Sequence, residues 1–354
     1  MLIEQEPQSY SCLAFSATDR QTGSQIISSS FIVAGFFGFA LVIYLIVDSG
    51  AGEVARAMLT VGWWLLPITF YHLVPLFFSA LSWRELLPVA SRPDVFTVTW
   101  IRWIRESINS LLPVASVGGD FASARLTHQR GVPGAQAAAS MVVDTTVGVI
   151  TQLIFVIAGV VLLLMRPNEH APLKVLSGVL TGAGVFFVAV LLFVLVQHKN
   201  MFARFARLAR GLLPEKWLSY YLGSASAMDA AVVLAYRSGP AFWRANLLRL
   251  VGWAAGAGEV WLVTRCLGQP LSLIDSFILE SLSSGVRAAA FLLPGALGVL
   301  EGGFVLFGGL FGLPAEIALA ISLSKRVREL ALGLPGLFAW YWIETHYFLR
   351  RNGE

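Results

Sequence analysis

Charged side chains stand inside stretches of this sequence that are otherwise apolar: Arg102, Arg105, Glu106, Asp120, Arg125, Asp144, Glu259, Glu280, Arg287, Glu301, Lys325, Arg326, Arg328 and Glu329. A guanidinium is a planar fork of donors that meets a phosphate or a carboxylate with two parallel hydrogen bonds. A carboxylate among such cations balances them or carries a proton. Ionisable groups are expensive to bury in hydrocarbon and are functional candidates by default. Each could equally be one half of a structural salt bridge that holds helices in register. Asp120 and Glu301 favour function, because both stand beside glycines where helix ends can converge.

Other chemistries find no support. His72, His128, His170, His198 and His346 are scattered without metal-ligand spacing and read as core or interfacial residues. No metal or cofactor is expected. There is no Gly-x-x-x-x-Gly-Lys-[Ser/Thr] phosphate loop and no Gly-x-Ser-x-Gly nucleophile elbow. The two cysteines, Cys12 and Cys266, are too few for a disulfide framework or a zinc site.

The elements that must position these charges are membrane helices. Hydrophobic residues make up 56% of the 354 positions and charged residues 13%, against about 25% in soluble domains. Mean hydropathy is +0.72. Several apolar runs reach the roughly 20 residues that a bilayer core demands. The expected class is an all-α polytopic membrane protein.

In chain order, residues 1–25 form a polar tail without a signal-peptide pattern. Residues 26–60 hold a first span and an interfacial segment. A second span covers 61–82, flanked by Trp63-Trp64 and Trp83-Arg84 in the manner of an aromatic belt. A polar-laced helix over 94–112 is followed by a Gly-rich piece over 114–131. Long spans follow at 134–165 and 173–197. The section 198–240 is hydrophilic, and Phe202, Phe205, Leu208 and Leu212 recur in it at helical spacing beside Arg204, Arg207 and Arg210. That pattern fits a basic amphipathic helix at the membrane surface. Then come 241–265, a second polar-laced helix at 271–293, a second Gly-rich piece at 295–312, and a last span at 314–346. Residues 347–354 are a tail.

The second half echoes the first. Leu111-Leu112-Pro113 precedes Asp120 by the same spacing with which Leu292-Leu293-Pro294 precedes Glu301, and Gly131-Val132-Pro133 and Gly312-Leu313-Pro314 close the two segments. A shift of 181 positions lays 61–148 on 242–329 without a gap, which defines repeat units over 61–148 and 241–346. Asp94 and Asp275 fall together as expected N-caps, and Pro133 and Pro314 as expected first helical positions. Asp144 falls on Lys325, its opposite in sign. Basic residues collect on the cytoplasmic side, so 198–240 is placed inside, with both termini. An odd number of crossings then separates the two units, and the second is expected upside down. Inverted repeats with broken or re-entrant helices around a central cavity are a transporter architecture.

At Arg105, Asn109, Leu-Leu-Pro113, Gly118-Gly119 and Arg125, and again at Pro294-Gly295-x-x-Gly298-x-x-Glu301, the chain resembles the flippase-like membrane region of lysylphosphatidylglycerol synthases in its stand-alone form. The likeness covers about 30 to 345. On Ser324-Lys325-Arg326-Val327-Arg328-Glu329 it is most similar to the hopanoid-biosynthesis-associated membrane proteins of bacteria. Ala296 departs from the pattern, standing where that family has glycine.

The resemblance implies movement of an amphiphilic lipid, phospholipid or hopanoid-type, between leaflets of the bacterial inner membrane. Aminoacyl transfer is not expected, since the chain ends at Glu354 before any soluble catalytic domain. Arg102, Arg105, Asn109, Arg125, Lys325 and Arg326 are then expected to meet a headgroup. Asp120, Asp144 and Glu301 are expected to counter those charges or carry a proton. Pro113, Gly118, Gly119, Pro294, Gly295 and Gly298 are the expected helix breaks. Membrane lipids and lipid-biosynthesis enzymes are the expected partners, and nucleic acid is not. Two rivals stay open: a membrane-embedded lipid-modifying enzyme, and a non-catalytic partner of one.

Overall fold

A computed structural model describes residues 40–112, 118–165, 232–234, 239–289 and 296–351. Outside the described residues lie most of the first span, Pro113, Pro294, Gly295, the span at 173–197 and nearly all of the basic section 198–240. The structure is 88% helical, and there is no strand among the described residues.

The helices in order are α1 (40–48), α2 (Ala51–Val61), α3 (Leu65–Tyr71), α4 (Leu73–Glu85), α5 (Val95–Leu111), α6 (Gly118–Gln129), α7 (Gly134–Leu164), α8 (Gly239–Cys266), α9 (Leu273–Ala289), α10 (Val299–Gly308) and α11 (Ala315–Arg351). The segment at 48–60 is largely helical. Residues 51–61 are helical and join α3 and α4 through a tight turn at Gly62–Trp64, giving one rod from Ala51 to Glu85. Val54, Ala57 and Val61 bury its first part, and α2 packs on α11. This 35-residue rod and the 31-residue α7 are long and apolar enough to cross a membrane.

The rod is interrupted at His72. Pro75 has no N–H, so the Tyr71 carbonyl loses its intrahelical partner. The His72 amide instead reaches the Thr69 carbonyl at 3.2 Å, a tighter turn than the α-helical one. The break therefore falls within the span and not at its end.

Local chemistry sets the other boundaries. Asp94 caps α5, its carboxylate accepting from the Thr97 amide at 3.1 Å. Hydrogen bonds from Thr97 hold that carboxyl below the usual carboxylate range. Asp275 differs from the expected N-cap. Helix α9 begins at Leu273, and Ser272 caps it, accepting from the Asp275 amide at 3.1 Å while donating to the Asp275 carboxylate at 2.6 Å. The shorter hydroxyl side chain takes the cap and the acid moves into the first turn. Pro133 and Pro314 immediately precede α7 and α11, one residue before the first helical position.

The interval of 181 recurs in the backbone. Helices α7 and α11 start at 134 and 315, and α4 and α8 end at 85 and 266. Gly131 and Gly312 both take positive φ, 93° and 70°. The Val132 amide bonds to the Thr127 carbonyl as Leu313 does to Gly308, at 3.4 and 3.1 Å. Packing follows the same exchange. Helix α4 lies on α8, α5 packs on α11, and α9 packs on α7. At a shift of 181 positions the α5–α11 contact corresponds to the α9–α7 contact, and α4 packs on its own counterpart α8.

Small residues admit close approach at these crossings. A Cβ on Gly159 of α7 would stand 2.8 Å from the Ser281 Cβ of α9, and one on Gly336 of α11 would stand 2.8 Å from the Ser107 Cβ of α5. Two of the apolar clusters of the interior lie at these crossings. One holds Trp83, Ile101, Ile104, Ile108 and Met141, the other Val260, Ile278, Leu279, Phe304 and Ile321.

Many large apolar side chains stand on the outside. Trp63, Phe70, Leu247, Leu334, Phe338 and Trp342 are exposed, while Asp144, Glu259, Glu301, Lys325 and Arg328 are buried. Hydrocarbon reverses the usual preference. Apolar faces cost nothing there, and charges must find each other inside the bundle.

Candidate functional site

Asp144, on the inner face of α7, is fully buried and receives three arginines. Arg102 Nη1 donates to its Oδ2 at 2.7 Å, Arg105 Nη1 donates to the same oxygen, and Arg249 Nη2 donates to Oδ1 at 2.6 Å. Arg102 and Arg105 lie three residues apart on one face of α5, and Arg249 comes from α8. Arg105 also donates through Nε to Asp120 Oδ1 on α6. Three guanidiniums against two carboxylates leave this group with one positive charge.

Glycine makes that meeting of α5 and α6 possible. The Gly119 amide donates to Asn109 Oδ1 at 2.8 Å. A Cβ at Gly119 would stand 2.6 Å from the same oxygen and would run into the Arg105 carbonyl. Asn109 thus serves to seat the start of α6. Gly118 lies in the same helix, and Gly298, at φ +77°, precedes α10.

A second group gathers around His72, at the break in the first rod. Arg328 Nη1 of α11 donates to His72 Nδ1 at 2.9 Å, and also to Glu259 Oε2 of α8. A guanidinium only donates, so Nδ1 accepts and the proton of the neutral ring sits on Nε2. That nitrogen faces Glu106 Oε1 of α5 at 2.7 Å. Glu329 is held by Arg287 and Arg326, each at 3.0 Å. Arg326 also reaches Glu301 at 2.8 Å, and Lys325 reaches Glu280 at 2.8 Å. Four cations face five carboxylates here, leaving one negative charge while His72 is neutral. The groups adjoin along α5, where Arg102 and Glu106 are one turn apart, and together they balance.

Next to the second group is a small cleft, lined by His72, Trp103, Glu106, Ser107, Arg328 and Glu329, among others. It lies between the broken rod, α5 and α11. Glu106 is the most open charge on its wall, with a side chain 41% exposed. Neither Asp120 nor Glu301 lines this cleft.

Of the residues singled out in the sequence, Arg102, Arg105, Asp120 and Asp144 come together. Lys325 and Arg326 join the second group with Glu301. Arg125 sits elsewhere, half exposed, 2.8 Å from Glu344 of α11. The opposite signs of Asp144 and Lys325 have matching partners: Asp144 pairs with α5 arginines, and Lys325 with Glu280 of α9, the counterpart of α5. Arg249 and His72 were not in the candidate set. Arg249 is buried among Asp144's partners, and a proline three residues after His72 inside an apolar span was the available signal. Among the described residues no group of three or more His, Cys, Asp or Glu could hold a metal ion.

A family model described as the lysylphosphatidylglycerol synthase TM region matches residues 28–336. No curated protein and no solved structure matches the chain.

Proposed function

Because the chain belongs to the family of lysylphosphatidylglycerol synthase transmembrane regions, and is thus a membrane protein tied to lipid metabolism or transport, we propose that it moves an amphiphilic lipid with an anionic headgroup between leaflets of the bacterial inner membrane. Its role in this reading is transport and not synthesis. The observation that carries it is the crowding of Arg102, Arg105 and Arg249 on the single carboxylate of Asp144. A phosphodiester offers the same paired acceptor geometry as that carboxylate. It brings the one negative charge that the group lacks. Arg102 has the most open side chain of the three, 15% exposed, and makes the first contact. The headgroup then competes with Asp144 for the guanidiniums, and release returns them to it.

The recurrence at 181 positions supports two units of opposite orientation, with α5 and α6, and α9 and α10, as paired interrupted helices. In this arrangement the α5–α11 and α7–α9 seams are where one unit rocks against the other. Both termini are cytoplasmic in the same reading, and enzymes that make or consume the lipid are the natural partners. The likeness of residues 324–329 to hopanoid-associated relatives makes a hopanoid the other lipid to test, although one without phosphate leaves the arginine group's charge unmet.

The test uses purified protein in proteoliposomes. Leaflet exchange is followed for labelled phosphatidylglycerol, phosphatidylcholine and a hopanoid, with wild type, Asp120→Asn and Glu301→Gln. Faster exchange of phosphatidylglycerol with wild type supports the reading. No exchange of any lipid sinks it. A chemically altered lipid recovered from the same vesicles favours an enzyme.

A further inference from the structure

The two charge groups are opposite in sign, and among the described residues only the second contains an imidazole. We propose that His72 binds a proton that travels with the anionic lipid, so that the chain is a proton–lipid symporter. This rests on the transport reading above and adds its driving force.

The geometry around the ring is that of a proton site. His72 sits at the break in a membrane-length rod and on the wall of the cleft, which gives water a route to it. Its charged neighbours come from three other helices: Glu106 on α5, Glu259 on α8, and Arg328 and Glu329 on α11. Arg102 stands one turn from Glu106, and Tyr71, beside His72 in the chain, donates to the Ala255 carbonyl at 3.0 Å. A second proton on the ring turns Nδ1 from acceptor to donor. An acceptor is in place, because Glu259 Oε2 lies 3.5 Å from Nδ1. The other oxygen of Glu259, Oε1, is buried without a hydrogen-bond partner among the described residues. The imidazolium therefore bridges Glu106 and Glu259, and Arg328 gives up Nδ1.

No bond is made or broken except that of the proton. A hydronium proton from cleft water passes to Nδ1, water is left behind, and the ring gains one positive charge. That charge cancels the excess negative charge of the second group, just as the lipid phosphate cancels the excess positive charge of the first. Binding both together preserves the balance of the buried network; binding either alone leaves a net charge in a low-dielectric interior. Release of Arg328 from the broken rod alters the contact between α11 and that rod.

The experiment uses proteoliposomes of phosphatidylcholine with a trace of labelled phosphatidylglycerol, an imposed pH difference, and the membrane potential clamped at zero by potassium and valinomycin. At one proton per lipid, a difference of one pH unit sustains a leaflet ratio of about tenfold. The label should accumulate in the leaflet facing the more alkaline compartment. In His72→Gln the ratio should fall to one. Glu106→Gln keeps an acceptor for Nε2 but removes its charge, and should move the onset of coupling to more acidic pH; it stands in if His72→Gln fails to fold. Rapid exchange by wild type with a ratio of one overturns the proton site and leaves lipid movement intact. Accumulation on the acidic side, or a tenfold ratio retained in His72→Gln, also overturns it. No exchange at all removes both the proton site and the transport reading.

Discussion

Arg249 Nη2 lies 2.6 Å from Asp144 Oδ1, joining α8 to α7 across 105 positions of sequence. Both side chains are buried, and the Asp144 carboxylate is, among the described residues, the one acid that pairs with Arg102, Arg105 and Arg249 alike. Removing one member of a buried ion group costs more than the group contributes as a whole, because its partners stay buried and uncompensated.

Asp144→Asn should therefore destabilise the protein by about 3–5 kcal/mol, read as a loss of thermal stability in detergent. Adding Arg249→Gln to that variant removes one stranded cation and should recover part of the loss. If the double variant is as unstable as the two single losses added together, the two residues are independent and the arginine group has been misread.

The contact of α5 with α6 depends on Gly119. Gly119→Ala forces a methyl against the Arg105 carbonyl and Asn109, and should cost about 1–3 kcal/mol. Gly302, in the interior of α10, has nothing within 4 Å of an added Cβ. Gly302→Ala should stabilise by about 0.5–1 kcal/mol through lost backbone freedom in the unfolded chain. Equal effects at the two sites would mean that crowding at Gly119 is not what selects glycine there.

Ala296 is buried with φ at +48°, in the left-handed region that favours glycine. Ala296→Gly relieves a backbone cost of about 1–2 kcal/mol and returns part of it as extra freedom of the unfolded chain. A net rise in thermal stability is expected; a fall would show that packing of the methyl outweighs the strain.

How much of this was legible depends on range. Helix ends are written locally, in Asp94, Gly131, Pro133, Gly312 and Pro314. The polar-laced helix expected at 94–112 and the span expected at 134–165 accordingly appear as the helices Val95–Leu111 and Gly134–Leu164. Asp275 misled because an acid and a serine both cap well, and only the backbone decides which one does. Most of the pairing of charges was not legible, because it joins helices far apart in sequence, as Arg249 with Asp144 and Arg328 with Glu259. Arg102, Arg105 and Asp144 were candidates without known partners, and Arg125 carried the same signature while meeting Glu344 instead. His72 was passed over because it was weighed as a metal ligand. Its meaning lies in the break that Pro75 makes in the rod.

The headgroup selectivity of leaflet exchange bears most heavily on the role given to the arginine group. With labelled phosphatidylglycerol and phosphatidylcholine of identical chains, wild-type protein should exchange the anionic lipid faster, and Arg102→Gln should bring the two rates together. Equal rates for both lipids with the wild type, or a preference unchanged in Arg102→Gln, would contradict it.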